Sequence, residues 1–81
     1  MTKADKDKMR NRLSRNLRRI VLLRYACTPQ ELQHALLKLS GASGISISTL
    51  RRYERGETFP SGASLGRLAE ALKTKSEKLL A

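Results

Sequence analysis

The residues best suited to chemistry in this chain lie between Ser46 and Arg55. Hydroxyls and guanidinium groups recur there, at Ser46, Ser48, Thr49, Arg51, Arg52 and Arg55. No partner for bond-making accompanies them. The chain has one His (His34), one Cys (Cys27) and seven acidic residues, with no metal-ligand spacing and no glycine-rich phosphate loop. No catalytic residue, metal site or cofactor is therefore expected. Hydrogen bonding is what remains. A guanidinium offers a rigid fork of N–H donors that fits phosphate oxygens or the O6 and N7 edge of guanine, and a hydroxyl can donate or accept. The chemistry expected is recognition of a polyanion without covalent change.

Charge supports that expectation. Seventeen Lys and Arg against seven Asp and Glu give a formal net charge of +10 on 81 residues. The excess is concentrated at the front: residues 1–27 hold nine basic side chains and only Asp5 and Asp7 as acids. From Thr28 to Ile45, Glu31 and Lys38 cancel. A basic domain attracts nucleic acid because each neutralised phosphate releases condensed counterions. A basic amphipathic helix on an anionic membrane is the competing reading. The aromatic poverty of the chain, with Tyr25, Tyr53 and Phe59 alone, argues against it. No apolar run approaches the ~20 residues that span a bilayer, and Met1 to Arg10 lacks the apolar core of a signal peptide. A cytoplasmic protein is expected, with the lone Cys27 a small buried hydrophobe near a helix end.

The elements that must position Ser46–Arg55 read as helices throughout. Residues 1–8 mix Lys and Asp with little apolar content and are expected to form a flexible basic arm, leaving 9–81 as one domain. A first helix is predicted from near Met9 to Ala26, with Leu13, Leu17, Ile20 and Val21 on its inner face. Thr28-Pro29-Gln30-Glu31 starts a second. Thr28 caps it, Pro29 sits where a missing N–H does no harm, and Glu31 completes a capping box. Leu32, Ala35, Leu36 and Leu39 form its apolar face, and Ser40-Gly41 is predicted to stop it. A third helix is predicted from the Ser46 cap to Arg55, followed by Gly56, with Leu50 and Tyr53 facing inward. Leu65, Leu68, Ala69 and Leu72 mark a fourth helix, and a short fifth runs from about Ser76 through Leu79 and Leu80. The fold class expected is all-α, a compact bundle of about five short helices.

The second half carries a resemblance. Glu54-Arg55-Gly56, then Pro60-Ser61, then Leu65, Leu68, Ala69 and Leu72 resemble the lambda-repressor-like family of helix-turn-helix proteins, also called the Cro or xenobiotic-response-element type. The likeness covers Ile45 to Leu80 well and Leu17 to Leu39 loosely. It implies double-stranded DNA as partner, with the third helix in the major groove. Ile47, Ser48, Arg51 and Arg52 match or adjoin the positions that reach base edges. Thr28, Gln30, Ser46, Thr49, Arg55 and Thr58 are the candidates for the sugar-phosphate backbone. For Ile47 a place in the core is the alternative, and for Arg51 and Arg52 a solvated face. Glu54 resembles the acidic residue that forms a structural ion pair with an arginine of the first helix, and Arg18, Arg19 and Arg24 all qualify. His34 is read as a surface residue, Tyr53 and Phe59 as core.

Three departures from the family pattern stand out. Between Leu32 and Gly56 the chain carries about seven surplus residues, close to two helical turns, which falls between Ala35 and Gly44 as extra helix, longer turn or both. Pro29 replaces a usual Gln, and Lys73 stands where a helix-ending Gly is common. The function implied is a sequence-specific transcriptional regulator, a small repressor of phage or mobile-element kind, acting as a homodimer on a palindromic operator. Leu79 and Leu80 are the apolar residues expected to support the dimer. The alternative is a protein-interaction module with a protein partner, an antitoxin or antiactivator. A mercury-resistance-type regulator ranks below both, because no aromatic wing follows Glu54.

Overall fold

The computed structural model describes residues 2–25 and 28–81. The expected position of Cys27, and the end of the first helix at Ala26, lie outside the described residues. Five α-helices follow one another: α1 (Lys3–Arg24), α2 (Leu32–Ser43), α3 (Ile47–Glu54), α4 (Gly62–Ala71) and α5 (Ser76–Leu80). A single 3-10 turn, Pro29–Glu31, leads into α2. No strand occurs among the described residues, so the architecture is all-α, as the periodicity predicts.

Helix α1 starts at Lys3, earlier than the apolar spacing predicts. The reason is a local capping box. Thr2 is the N-cap, its hydroxyl accepts the Asp5 N–H at 3.2 Å, and the Asp5 carboxylate accepts the Thr2 N–H at 3.2 Å. Asp7 and Arg10 add an ion pair one turn apart. The Thr28 box forms as expected, with Thr28 N–H and hydroxyl donating to Glu31 Oε1 at 3.2 and 2.9 Å. Its first turn is nonetheless 3-10. Both cap carboxyls are held below their ordinary pKa, Asp5 by the Thr2 hydroxyl and then the Thr2 N–H, Glu31 by the Thr28 N–H and then its hydroxyl. A depressed folded-state pKa stabilises the fold above the unfolded value, near 4 for these groups, and that support is lost as the pH falls through the folded value. Protection of the amides at the starts of α1 and α2, taken relative to the intrinsic exchange rate at each pH, is therefore expected to fall between neutral pH and pH values well below ~4, ahead of protection in the core.

The second helix does not stop at Gly41. It continues to Ser43, and Gly44 takes the left-handed conformation (φ 75°), its N–H donating to the Ser40 carbonyl at 3.0 Å. Both glycines suit a helix end by type. What selects Gly44 is Ile45, which must turn into the core and is buried there. Two hydroxyls fasten the turn: Ser40 donates to the Ile45 carbonyl at 2.5 Å, and Ser43 accepts the Ile45 N–H at 3.2 Å. The turn itself is short, and the stretch from Ala35 to Ser43 is helical throughout, continuing the apolar face of Leu32, Ala35, Leu36 and Leu39.

One core joins all five helices, built on Leu13, Leu17 and Val21 of α1, Leu36 and Leu39 of α2, Leu50 of α3, Leu68 of α4 and Leu79 of α5, all fully buried. Each such side chain contributes roughly 1.5–3 kcal/mol relative to exposure. Leu79 corrects an expectation. It fills the core of its own chain, and Leu80 packs partly buried against that core. Asn16 ties the same end to α1 by donating to the Leu79 carbonyl at 3.0 Å. Leu79 is thus consumed within its own chain.

Lys73, at the end of α4, is the one non-glycine residue with positive φ among those described (55°). Its neighbours close the helix, Lys73 N–H to the Glu70 carbonyl at 3.1 Å and Thr74 N–H to the Ala69 carbonyl at 2.9 Å. A side chain in this conformation costs roughly 1–2 kcal/mol, partly offset because glycine loses more entropy on folding. Lys73→Gly is expected to stabilise the fold by about 0.5–1 kcal/mol, read as a rise of roughly 2–8 °C in Tm for a domain of this size.

Candidate nucleic-acid interface

Helix α3 is set by its two ends and one buried side. At its start Ser46 is the N-cap; its hydroxyl accepts the Thr49 N–H at 3.3 Å and lies 2.8 Å from the Thr49 hydroxyl. At its end Gly56 adopts φ 73°, and a Cβ there would meet Asn11 Oδ1 at 3.4 Å and the Arg10 carbonyl at 3.8 Å. The positive φ is what calls for glycine; the two approaches are ordinary van der Waals contacts. Leu50, Tyr53 and Glu54 form the buried side.

The opposite side carries the candidate readers. Ser48, Arg51, Arg52 and Arg55 are exposed and share one face of α3. Ile47 does not join them fully; it is half-buried and packs against the core. Thr49 is half-buried beside Ser46. Arg55 reaches Glu57 Oε2 at 2.9 Å, an exposed pair that contributes little and yields easily to a phosphate. Thr58 is half-buried, and Phe59 packs against the core as expected. Thr28 and Gln30 are exposed in the 3-10 turn before α2, with the Thr28 hydroxyl already engaged by Glu31.

One residue of this surface escaped the sequence reading. Gln33 of α2 accepts a hydrogen bond from Arg51 Nε at 3.0 Å. The contact fixes the guanidinium at its inner nitrogen and leaves both terminal nitrogens, the forked end, for a ligand. Gln33 belongs to no capping or apolar pattern, so only the packing of α2 on α3 reveals it.

Beneath the face, α3 is fastened to α1. The Glu54 side chain is buried, and its Oε1 accepts from Arg18 Nε at 3.1 Å and Nη2 at 2.6 Å. Ser14, one turn before Arg18, donates to the Glu54 carbonyl. Of the three arginines open to Glu54, Arg18 is therefore the partner. Arg24 lies over the Tyr25 ring, 5.7 Å from its centroid. No buried side-chain polar atom among the described residues lacks a hydrogen-bond partner, so the platform under α3 is internally satisfied.

The arrangement offers a short helix with donors on one exposed face, held rigid from behind. Among the described residues no helix is long and apolar enough to cross a membrane, and no cluster of metal-ligating side chains forms. Residues 25–79, well over half of the chain, match a family model described as helix-turn-helix. No curated protein and no solved structure matches the chain.

Proposed function

The chain belongs to the lambda-repressor-like helix-turn-helix family, whose members bind DNA as regulators, and on that premise we propose a sequence-specific operator-binding repressor acting as a homodimer. The observation that carries the reading is the exposed face of α3, where Ser48, Arg51 and Arg52 stand clear of the core. A helix of this size enters the major groove of B-DNA, about 12 Å wide, and arginine forks there pair with guanine O6 and N7. Ser48 adds an adaptable donor or acceptor. Arg55, Thr58, Gln30 and the Ser46 end of the helix supply backbone contacts that set register without reading sequence.

Repression follows from occupancy. A small domain seated across a promoter excludes the polymerase with no further chemistry. The dimer rests on the family's habit of pairing two copies on a two-fold operator; the buried Leu79 adds no support to it. Sedimentation with and without operator tests this directly, and a monomer at high micromolar concentration in both cases would remove the dimer. Selection from a pool of random duplexes, with a salt titration, tests the whole reading. Enrichment of one two-fold symmetric sequence supports it. Weak, salt-sensitive binding with no enriched sequence would reduce the positive charge to generic attraction and end the proposal.

A further inference from the structure

The strongest charge feature of the molecule lies outside the recognition helix. Lys8, Arg12, Arg15 and Arg19 recur at spacings of four, three and four along α1, and all four are exposed. At ~100° per residue they fall in one stripe about 16 Å long on the side of α1 turned away from the core. None of the four has an ion-pair partner among the described residues, whereas Arg10, Arg18 and Arg55 are each paired with an acid. Like charges at these spacings destabilise a helix. A surface shaped for solubility alone intersperses the two signs; this stripe does not.

Its place relative to α3 gives it an occupant. The end of α3 rests on the flank of α1 formed by Arg10, Asn11, Ser14 and Arg18. The centre of the stripe lies about a third of a turn further around α1. The two helices are direct neighbours, and Arg15 and Arg19 line one surface depression with Arg18, the arginine that holds Glu54 at the end of α3. We propose that the α1 stripe of Lys8, Arg12, Arg15 and Arg19 is a second phosphate-binding surface, which grips the backbone of the duplex that α3 reads. It rests on the DNA-binding reading of α3 and adds a sequence-independent anchor to it. Duplex DNA is favoured over a lipid surface because one strand offers a row of phosphates, spaced ~3.4 Å along its axis, to a row of cations.

The test is a four-site variant of the full chain, Lys8→Gln, Arg12→Gln, Arg15→Gln and Arg19→Gln, measured against a selected duplex and an unrelated one of equal length. Glutamine keeps helix propensity close to that of Lys and Arg, and circular dichroism checks the fold. With ~0.9 counterions released per phosphate contact, the slope of log K against log salt is expected to become shallower by about 3–4. Both duplexes should weaken by the same factor, leaving their ratio unchanged. Should the four-site variant misfold, Arg12→Gln and Arg15→Gln singly should each reduce the slope by about 0.9. An unchanged slope overturns the proposal, as does loss confined to the selected duplex. A third outcome, lost binding to phosphatidylserine vesicles with the DNA slope intact, assigns the stripe to membranes and overturns it too. If no sequence is ever selected, the salt slope on generic duplex still decides the stripe, so the two readings fail separately.

Discussion

Arg51→Ala combined with Arg52→Ala is expected to erase discrimination between the selected duplex and an unrelated one while leaving the fold intact. Each guanidinium that grips a guanine is worth about 1–3 kcal/mol of discrimination, so the pair controls on the order of 2–6 kcal/mol. Both side chains are exposed, and neither supports the core, so the thermal midpoint should move little. Generic affinity should fall only by the loss of two charges, a change of roughly 1.8 in the salt slope. Competition binding against both duplexes, at two salt concentrations, separates these effects. Arg51→Lys is an informative companion. It keeps the charge but loses the fork and the Nε donor to Gln33, so it should behave like alanine in discrimination and like wild type in salt slope. A double-alanine variant that still prefers the selected duplex would move the reading surface off α3.

Arg18→Ala is expected to destabilise the fold by roughly 1–3 kcal/mol at neutral pH, one of the larger effects available outside the apolar core. Glu54 is buried, and its Oε1 takes two hydrogen bonds from Arg18. Without them a buried carboxylate is left without its ionic partner, which is the costly half of breaking such a pair. The figure stays below the ~3–5 kcal/mol of a fully enclosed pair because Arg18 is 54% exposed and water screens it. Arg18→Lys should recover only part, since an ammonium cannot reproduce the fork. Removing both partners with Arg18→Met and Glu54→Leu should be milder than Arg18→Ala alone, because no charge remains stranded. Urea unfolding at pH 7 reads all three variants. An unchanged midpoint for Arg18→Ala would mean the carboxylate finds water and the pair is not a strut. DNA affinity should follow stability, because this contact sets how α3 is held.

Much of the architecture is local and was legible in the chain itself. Apolar residues three and four apart, with caps at Thr28 and Ser46 and the glycine at 56, determine where helices form, because those signals act within one or two turns. The bounds of α3 follow from them almost residue by residue. The basic balance and the run from Ser46 to Arg55 likewise determine the class of chemistry. Local signals also have limits of their own. The Thr2 and Asp5 box was as visible as the Thr28 box, yet the polar composition of residues 1–8 outweighed it in the sequence reading.

What only the tertiary structure decided are the choices among residues of equal local merit. Gly41 and Gly44 both suit a helix end, and the burial of Ile45 selects the second. Arg18, Arg19 and Arg24 are equally basic, but a helix turns ~100° per residue, and only Arg18 faces Glu54 once α3 is docked. Leu79 looked like an unpartnered end until α5 folded it against α1. Gln33 had no signature at all before α2 met α3. Side-chain type and spacing determine what a residue is able to do within its own helix. Which partner it meets depends on the angle at which helices pack, and that angle is settled by the whole core at once.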